Sequence, residues 1–476
     1  MKNEPALNLS FKLEPFKHQR ELLSRISDRD YYALFWDLGT GKTATAINLL
    51  RLKCIQEKKI LKTLILSPLI VCDNWYREFE VHSNIAKHVQ VLTGNSKQRT
   101  TQLLQGYHER GERIFITNHE ALSMKEIYKA LSDFQFDCLI IDESHKYKNP
   151  SGKRTKLVHQ LADQPNCRFR YILTGTPITN SPLDIWAQMR ILSPYITSDN
   201  FYAFRAKYFE DQNARMPKHI HFPNWKIRKG AEDALHKKIY KHADRVEKRD
   251  VLDLPPFIRT RVNVALTPVQ ARLYKGMCED FMAFLNDAAC TADLAIVKAL
   301  RLQQLVSGLF KEDLTDKPKR IESNRPAVLK EVIESLPSDA QFIVWCVFKE
   351  SYVQVGEVLE EMGITHSFLT GKQTYDEKNM SVEMFQNGKS RALVANQAAG
   401  GVGVNLQNAT YSIYFSRNFS LEQDMQSEAR NYRAGQTKKV QRIDLVTPDT
   451  IDEHILTALA NKHNMSEAIL KLRGKL

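Results

Sequence analysis

Short apolar runs, each bounded by polar or turn residues, recur in two separate stretches of the chain. The first stretch holds such runs at Tyr31–Trp36, Thr63–Ser67, Arg113–Thr117, Phe136–Ile141 and Phe169–Leu173. The second stretch holds them at Gln341–Cys346, Ile364–Leu369, Arg391–Ala395, Tyr411–Phe415 and Val440–Val446. Runs of this length and composition are typical of strands buried in a parallel sheet, with helices between them. The pattern predicts two doubly wound α/β domains.

The stretch between these two blocks, from Tyr195 to Pro326, has a different pattern. It contains aromatic and basic segments such as Phe201–Phe209, and Pro268–Phe284 has helical spacing without a strand signal. We therefore expect a mostly helical insert that joins two lobes. The predicted division is an N-terminal lobe at 1–194, the insert and linker at 195–325, and a C-terminal lobe at 326–476. The tail from Asp449 is expected to form one or two basic helices.

The charge of the chain points to a polyanionic partner. Its 476 residues carry a formal net charge of +13, while the hydrophobic fraction of 43% is ordinary for a globular protein. Six basic residues recur about every three to four positions in the middle stretch, a spacing that can align many of them on one face of a helix. They are Lys237, Lys238, Lys241, Arg245, Lys248 and Arg249. Such a face either contacts nucleic acid or is a solvated charged surface.

The cysteines and the apolar runs argue against zinc-module and membrane classes. None of the seven cysteines lies in a CxxC pair, so the sequence predicts neither a zinc module nor a disulfide framework. No apolar run reaches the roughly 18 residues that a membrane span needs, and the first residues lack an apolar signal segment. We expect a protein of a reducing, cytoplasmic compartment without a membrane span.

A glycine-rich loop between the first predicted strand and a helical run has the features of a phosphate-binding loop. Glycines let backbone N–H groups turn toward phosphate oxygens, and the following helix adds its positive end. Lys42 would reach the β- and γ-phosphates, and Thr43 would bind Mg²⁺. The alternative is a chance Gly-Lys-Thr at a helix start, which the strand-loop-helix context disfavours. The loop residues are Asp37, Leu38, Gly39, Thr40, Gly41, Lys42 and Thr43.

Two acidic residues, Asp142 and Glu143, follow the apolar run that begins at Phe136. Phosphoryl transfer needs one carboxylate near Mg²⁺ and a second group that orients or deprotonates water. Asp142 fits the first role and Glu143 the second, although acidic pairs also cap helices. His145 either links the nucleotide site to the other lobe or packs in the core. Polar residues just past a strand face the ligand crevice of such a sheet, which makes Thr174 and Thr176 candidates for sensing the γ-phosphate.

The second block carries a glycine-rich segment and a pair of arginines. The segment Ala398–Leu406 includes Gly403, and glycines there permit close approach of a ligand or a backbone. Arg430 and Arg433 are three positions apart, so on a helix they would share a face. Two guanidiniums directed at one place suit a transferring phosphate, as in an arginine finger. A surface pair of solvated arginines is the alternative.

Together these motifs resemble the Swi/Snf-type branch of superfamily 2 helicases, from about Leu13 to Asp452. Helicases of this superfamily commonly lack the first glycine of the general phosphate-loop pattern, whose position Trp36 occupies here. Phe16–Gln19 resembles the glutamine motif, which implicates Gln19 in reading adenine. The other matching segments are Ser67–Leu69 with Asn74 and Trp75, Ile116–Glu120, Asp142–His145, Leu173–Pro177 with Asn180, Lys248–Pro256, Gly400–Leu406 and Gln426–Gln436.

The resemblance implies two RecA-like domains, ATP and Mg²⁺ as cofactors, and an ATPase motor that translocates on double-stranded DNA to remodel DNA or protein–DNA complexes. It implies that Lys42, Glu143, Arg430 and Arg433 are catalytic, that Thr43 and Asp142 bind the metal, and that Gln19, the phosphate loop and Gly403 bind nucleotide. A strand-separating or annealing helicase on forked or branched DNA, and a non-catalytic nucleic-acid clamp, are alternatives. We expect a monomer of bacterial or phage type, with any protein partner unidentified.

Overall fold

The computed structural model describes residues 11–178, 181–198, 200–215, 223–251, 255–286, 292–310, 318–397, 404–417, 419–433 and 435–460. The chain forms two compact units, the first comprising Met1–Met216 and His221–Leu252 and the second Pro217–Ile220 and Asp253–Leu476. Each unit contains its own parallel sheet with helices packed on it. The predicted three-part division, with borders near 194 and 325, stays a prediction.

Seven parallel strands form the sheet of the first unit. They are β1 (Tyr31–Trp36), β2 (Thr63–Ser67), β3 (Val89–Val91), β4 (Ile114–Asn118), β5 (Cys138–Asp142), β6 (Phe169–Leu173) and β9 (Ala243–Val246). Their order across the sheet is β3-β4-β2-β5-β6-β1-β9. The central strands are buried along their whole length, as expected when helices cover both faces. Two short strands, β7 (Phe209–Asp211) and β8 (Trp225–Ile227), form a separate antiparallel pair.

Eleven labelled α-helices surround these strands in the described part of the first unit. They are α1 (Lys17–Arg25), α2 (Lys42–Gln56), α3 (Cys72–His82), α4 (Ser96–Gln105), α5 (Lys125–Phe134), α6 (Lys153–Ala162), α7 (Ile185–Leu192), α8 (Pro194–Thr197), α9 (Phe201–Tyr208), α10 (Glu232–Tyr240) and α11 (Lys248–Val251). A 3₁₀ turn at Ser144–Tyr147 follows the acidic pair. Buried side chains on one face of the sheet pack with helices into a continuous hydrophobic core. Residues of the opposite face, among them Leu34 and Ile65, are also buried, and this packing holds the strand ends in fixed relative positions.

The second unit contains a six-stranded parallel sheet. Its strands are β10 (Phe257–Asn263), β13 (Phe342–Cys346), β14 (His366–Leu369), β15 (Ala392–Asn396), β16 (Tyr411–Tyr414) and β17 (Val440–Val446), in the order β10-β17-β16-β13-β15-β14. A small antiparallel pair joins β11 (Leu309–Phe310) and β12 (Lys319–Arg320). The helices are α12 (Pro268–Asn286), α13 (Ala292–Val306), α14 (Arg325–Glu334), α15 (Lys349–Glu361), α16 (Tyr375–Gln386), α17 (Leu421–Glu428) and α18 (Ile451–Ala460). The fold is therefore the predicted one, with two parallel-sheet α/β domains.

Three strands of the two parallel sheets were not predicted from the sequence. β3 has only three residues. β9 and β10 are edge strands of their sheets, and most of their residues are only partly buried or exposed. An edge strand with an open face needs no continuous apolar run, so the pattern that revealed the central strands is missing in β9 and β10.

The prediction that many of the six basic residues between 237 and 249 share one helical face is wrong. α10 ends at Tyr240, and Arg245 lies on β9, which pairs with β1 through backbone hydrogen bonds. Lys248 begins the short helix α11. Sheet pairing in this segment overrides the helical spacing of its charges.

The C-terminal tail is helical over Ile451–Ala460, but this helix begins with the acidic residues Asp452 and Glu453 and is not basic. The rest of the predicted tail lies outside the described residues. Among the helices that the structure describes, none is long and apolar enough to cross a membrane.

Candidate nucleotide-binding site

The loop at 37–41 connects β1 to α2, as the sequence predicts. Gly39 and Gly41 both have φ of +83°, in the left-handed region that favours glycine. A Cβ atom on Gly41 would lie 2.2 Å from Nε2 of Gln19, so a side chain there would also clash. Gly41 is the N-cap of α2 and has no side chain with which to cap it. The first N–H groups of α2 are therefore suited to an anionic ligand.

Lys42 is folded back across this loop. Its Nζ donates hydrogen bonds to the backbone oxygens of Trp36 at 2.9 Å and Asp37 at 3.0 Å. The Thr40 hydroxyl donates to the oxygen of Asp37 at 2.8 Å. Thr43, the second residue of α2, is half-buried beside Lys42. These bonds hold the predicted phosphate-binding residues in one compact loop.

Helix α1 supports the loop through two polar side chains. Nε2 of Gln19 donates to the oxygen of Gly41 at 3.0 Å, and Nε2 of His18 lies 3.0 Å from the oxygen of Thr40. Oε1 of Gln19 accepts the backbone N–H of Phe16 at 2.8 Å. Gln19 thus positions the phosphate loop, and its predicted role in reading adenine stays a proposal.

Asp142 is the last residue of β5, and both of its carboxylate oxygens accept hydrogen bonds. Oδ2 accepts from Nε1 of Trp75 at 3.0 Å, and Oδ1 accepts from the backbone N–H of Glu143 at 3.0 Å. Burial, together with the charge of Glu143, raises the pKa of Asp142 to about 6, while Trp75 and Lys42 oppose the shift. Leu173 of β6 pairs in register with Asp142 of β5 on one side and with Leu34 of β1 on the other, so the acidic pair and the phosphate loop follow the same end of three adjacent strands.

Glu143 occupies a strained backbone position beside two buried polar residues. Its φ is +52°, which is uncommon for a residue with a side chain. Its Oε2 lies 3.3 Å from Nδ1 of His145 and 3.5 Å from the hydroxyl of Thr174. Nδ1 of His145 is also 2.9 Å from that hydroxyl, which accepts the N–H of Thr176 at 3.1 Å. His145 and Thr174 therefore join the acidic pair to the turn after β6.

Trp75 and Arg245 are the two residues that sequence reasoning did not place in the site. Trp75 lies on α3, is fully buried and contacts Asp142 directly. Trp75 belongs to a segment that the sequence analysis recognised as a family motif, but the spacing of that motif does not indicate that Trp75 binds Asp142. Nη2 of Arg245 lies 3.2 Å from Oδ1 of Asp37, the first residue of the phosphate loop.

The two arginines of the second unit do not lie on a common helix. α17 ends at Glu428, and both Arg430 and Arg433 lie in the turn that follows. The predicted helical alignment of this pair is therefore wrong. Nε of Arg430 donates to the oxygen of Gln426 at 3.0 Å, and Nη1 lies 3.5 Å from the oxygen of Val404. Arg430 is 6% exposed, whereas Arg433 is half-buried.

A buried ion-pair network fixes the helix that leads into this turn. Arg442 of β17 donates to both carboxylate oxygens of Asp424 on α17, at 2.8 and 3.0 Å. It also bonds to Glu428 at 3.1 Å and to Asp444 at 2.9 Å, and its guanidinium lies 3.8 Å from the ring centroid of Tyr414. The network attaches α17 to the sheet. Gly403 and Asn180, also implicated by the sequence, lie outside the described residues.

Two parallel-sheet units, the first of which carries a phosphate loop and an acidic pair at the carboxyl ends of its strands, define a helicase-type ATPase. The family model described as the SNF2-related domain matches residues 22–310, and that described as the helicase conserved C-terminal domain matches residues 324–435. The chain belongs to the SNF2-related family.

The relatives are longer proteins from bacteria and eukaryotes. An uncharacterized ATP-dependent helicase of Mycoplasma genitalium is 26% identical over 95% of this chain and 42% of its own length. A chromodomain-helicase-DNA-binding protein 1-like of Danio rerio is 25% identical over 91% of this chain and 41% of its own length. The chain thus spans about two fifths of these relatives. The Sulfolobus solfataricus SWI2/SNF2 ATPase core in complex with dsDNA aligns at a TM-score of 0.44 and 24% identity, covering 100% of this chain and 97% of that one.

Proposed function

We propose that this chain is a DNA-dependent ATPase that moves along double-stranded DNA and remodels DNA or protein–DNA complexes. The observation that carries the proposal is the junction of the phosphate loop with the acidic pair. Lys42 is held within the loop that follows β1, and Asp142 ends β5 with both carboxylate oxygens hydrogen-bonded; β6 pairs with both strands, so the two groups lie at the same end of the sheet. A phosphate-binding cation and a metal-binding carboxylate at one end of a sheet are what nucleotide hydrolysis requires.

In the proposed mechanism, Lys42 and the first N–H groups of α2 bind the β- and γ-phosphates. Thr43 and Asp142 supply oxygen atoms, the ligand type that Mg²⁺ prefers, and a bound Mg²⁺ would neutralise phosphate charge. Each oxygen of Asp142 accepts one hydrogen bond and retains a lone pair for a metal. Glu143 orients the attacking water and takes its proton. His145 and Thr174 hold the Glu143 carboxylate in place for that step.

We predict that Trp75→Phe raises the Mg²⁺ concentration for half-maximal hydrolysis by about tenfold, because a partner that orients a metal ligand contributes strongly to metal affinity. The substitution keeps an aromatic ring in the core but removes the indole N–H that Asp142 accepts. Trp186→Phe is the matched control, since Trp186 is also buried in the first unit and donates to the oxygen of Ser198 at 3.0 Å. A Mg²⁺ titration of ATPase rate compares the two. Equal half-saturation in both variants would show that Trp75 only fills space.

A basic cluster follows the acidic pair directly and supports nucleic acid as the track. Three of its members lie in the first turn of α6, where the helix has its positive end and where there is no acidic residue. Cations at this end of a helix are unfavourable unless anions balance them, and Arg154 is paired with Glu120 at 3.1 Å. Most of the cluster is exposed, in a chain with a formal net charge of +13. The cluster comprises Lys146, Lys148, Lys153, Arg154 and Lys156.

We predict that duplex binding weakens steeply with salt and depends little on sequence, because phosphate contacts release counterions. Lys153→Gln with Lys156→Gln should reduce the slope of log affinity against log salt by about two. Lys58→Gln with Lys87→Gln is the control, since both lysines are exposed but lie elsewhere on the first unit. Lys58 follows α2 and Lys87 precedes β3, so both lie on the side of the amino ends of the strands. Fluorescence anisotropy on a labelled duplex from low to physiological salt measures the slopes. An identical slope in both double variants would remove the cluster from the interface.

The test of the function is the ATPase rate with single-stranded DNA, duplex DNA, forked DNA and RNA. We expect duplex DNA to give the largest stimulation, with displacement of a bound triplex-forming strand and without separation of the duplex. If forked DNA stimulates hydrolysis most strongly and its strands separate, the function is that of a strand-separating helicase and not of a duplex translocase. If no ATP is hydrolysed under any of these conditions, the remaining function is that of a non-catalytic nucleic-acid clamp.

A further inference from the structure

The first residue of the phosphate loop is bound by a segment that lies more than 200 positions further along the chain. The carboxylate of Asp37 accepts a hydrogen bond from Nη2 of Arg245 at 3.2 Å and another from the backbone N–H of Lys248 at 3.1 Å. The backbone N–H of Asp37 donates to the oxygen of Val246 at 2.9 Å. Both the backbone and the side chain of Asp37 are therefore held by β9 and by the residues that follow it.

The second terminal nitrogen of the Arg245 guanidinium donates hydrogen bonds to two backbone oxygens. Nη1 of Arg245 donates to the oxygen of Phe35 at 3.3 Å and to the oxygen of Gly175 at 3.3 Å. Phe35 belongs to β1, and Gly175 lies between Thr174 and Thr176 in the turn after β6. One arginine thus joins the end of β1, the phosphate loop and this turn. A planar fork of donors can hold several acceptors at once in fixed relative positions.

The turn after β6 also packs closely against the phosphate loop. A Cβ atom on Gly175 would lie 3.4 Å from the oxygen of Trp36 and 3.4 Å from Cγ of Leu38. Arg245 is bonded across this contact, with its charge balanced by Asp37. The same turn carries Thr174, whose hydroxyl lies beside Glu143. A displacement of the turn would therefore reach both the phosphate loop and the water-orienting acid.

We propose that Arg245 is a positioning residue for ATP hydrolysis, which sets the placement of the phosphate loop relative to the turn at Thr174–Thr176. The inference rests on the proposed ATPase function and extends it to a residue outside the phosphate loop and the acidic pair. It assigns Arg245 to the nucleotide site, where the sequence had suggested contact with nucleic acid. Arg245 touches neither phosphate nor water in this role, and acts through Asp37 and Gly175.

The test compares Arg245→Met and Arg245→Lys with the control Arg170→Met. Arg170 is a half-buried arginine on β6 whose Nη1 donates to a backbone oxygen, that of Ala162, at 3.1 Å. Binding of a fluorescent ATP analogue, single-turnover hydrolysis without DNA, and the melting temperature are measured for each. We expect Arg245→Met to slow hydrolysis at least tenfold and to weaken nucleotide binding. Arg245→Lys should lie between Arg245→Met and the wild type, because one ammonium cannot replace the fork. Arg170→Met should stay within twofold of the wild type.

Asp37→Asn tests the same link from its other end and keeps the shape of the side chain. If Arg245 acts through Asp37, the doubly substituted protein with Arg245→Met and Asp37→Asn should hydrolyse no more slowly than the worse single variant. The inference would be overturned if Arg245→Met had the same rate constant and nucleotide affinity as Arg170→Met and differed from it only in a lower melting temperature. It would also be overturned if the rate losses of Arg245→Met and Asp37→Asn multiplied in the doubly substituted protein. A wild-type protein that binds no ATP would instead refute the proposed function on which the inference rests.

Discussion

Replacement of Glu143 by glutamine is expected to leave ATP bound while reducing its hydrolysis by at least about 100-fold, the usual contribution of a general base. The amide keeps the size of the carboxylate and can still contact His145 and Thr174, which lie within 3.5 Å of it. It cannot take a proton from water. Single-turnover hydrolysis and equilibrium binding of ATP, both without nucleic acid, measure the two effects separately.

Lys42→Ala provides the comparison, because Lys42 is expected to contribute to binding as well as to hydrolysis. This variant should lose ATP affinity, whereas Glu143→Gln should not. Glu57→Gln is the control, since this exposed acid pairs with Arg168 and lies outside both the proposed site and the basic cluster. A Glu143→Gln protein that hydrolyses ATP at the rate of the Glu57→Gln control would refute the assignment of Glu143.

Arg433→Ala is expected to abolish DNA-stimulated hydrolysis, with a loss of about 10³-fold at saturating ATP and duplex, while ATP and DNA still bind. The proposal behind this expectation is that the second unit supplies an arginine finger, and a finger makes a contribution of this size. Single-turnover hydrolysis with saturating duplex is the measurement. A wild-type rate in this variant would contradict the proposed finger.

The structure separates Arg433 from Arg430, which the sequence treats alike. Arg430 is almost fully buried and bonds to backbone oxygens of its own unit, so its replacement by alanine should lower the melting temperature as well as the rate. Arg433 is half-buried, so Arg433→Ala should lower the melting temperature less than Arg430→Ala does. The two variants thus serve as controls for each other. An equal loss of stability in both would mean that Arg433 also has a structural role.

Short-range patterns along the chain predicted most of the fold, and they predicted the positions of the phosphate loop and the acidic pair in the first unit. The central strands are continuous apolar runs because helices cover them on both faces, and the phosphate loop follows one of these runs immediately. The acidic pair is equally local, since Asp142 ends β5 and Glu143 is the next residue. Where burial continues along every residue of a strand, the sequence carried enough information to locate that strand.

Contacts between distant segments could not be predicted in this way. β9 gives no apolar signal because it is an edge strand, and the spacing of its charges suggested a helix. The hydrogen bond between Trp75 and Asp142 joins residues 67 positions apart, and that between Arg245 and Asp37 joins residues 208 apart. Partners at such separations are set by the arrangement of the whole sheet.

The position of β9 also affects the order in which the first unit folds during synthesis on the ribosome. The other six strands of the first sheet are complete once Leu173 has been synthesised, but the strand beside β1 ends only at Val246. Until that segment emerges, the edge of β1 is unpaired and Asp37 lacks both of its distant hydrogen-bond donors. Domains generally fold as units during synthesis, and contacts of long sequence separation form late. The nascent chain can therefore complete these contacts of its phosphate loop only after Lys248 has been synthesised, close to the end of the first unit at Leu252.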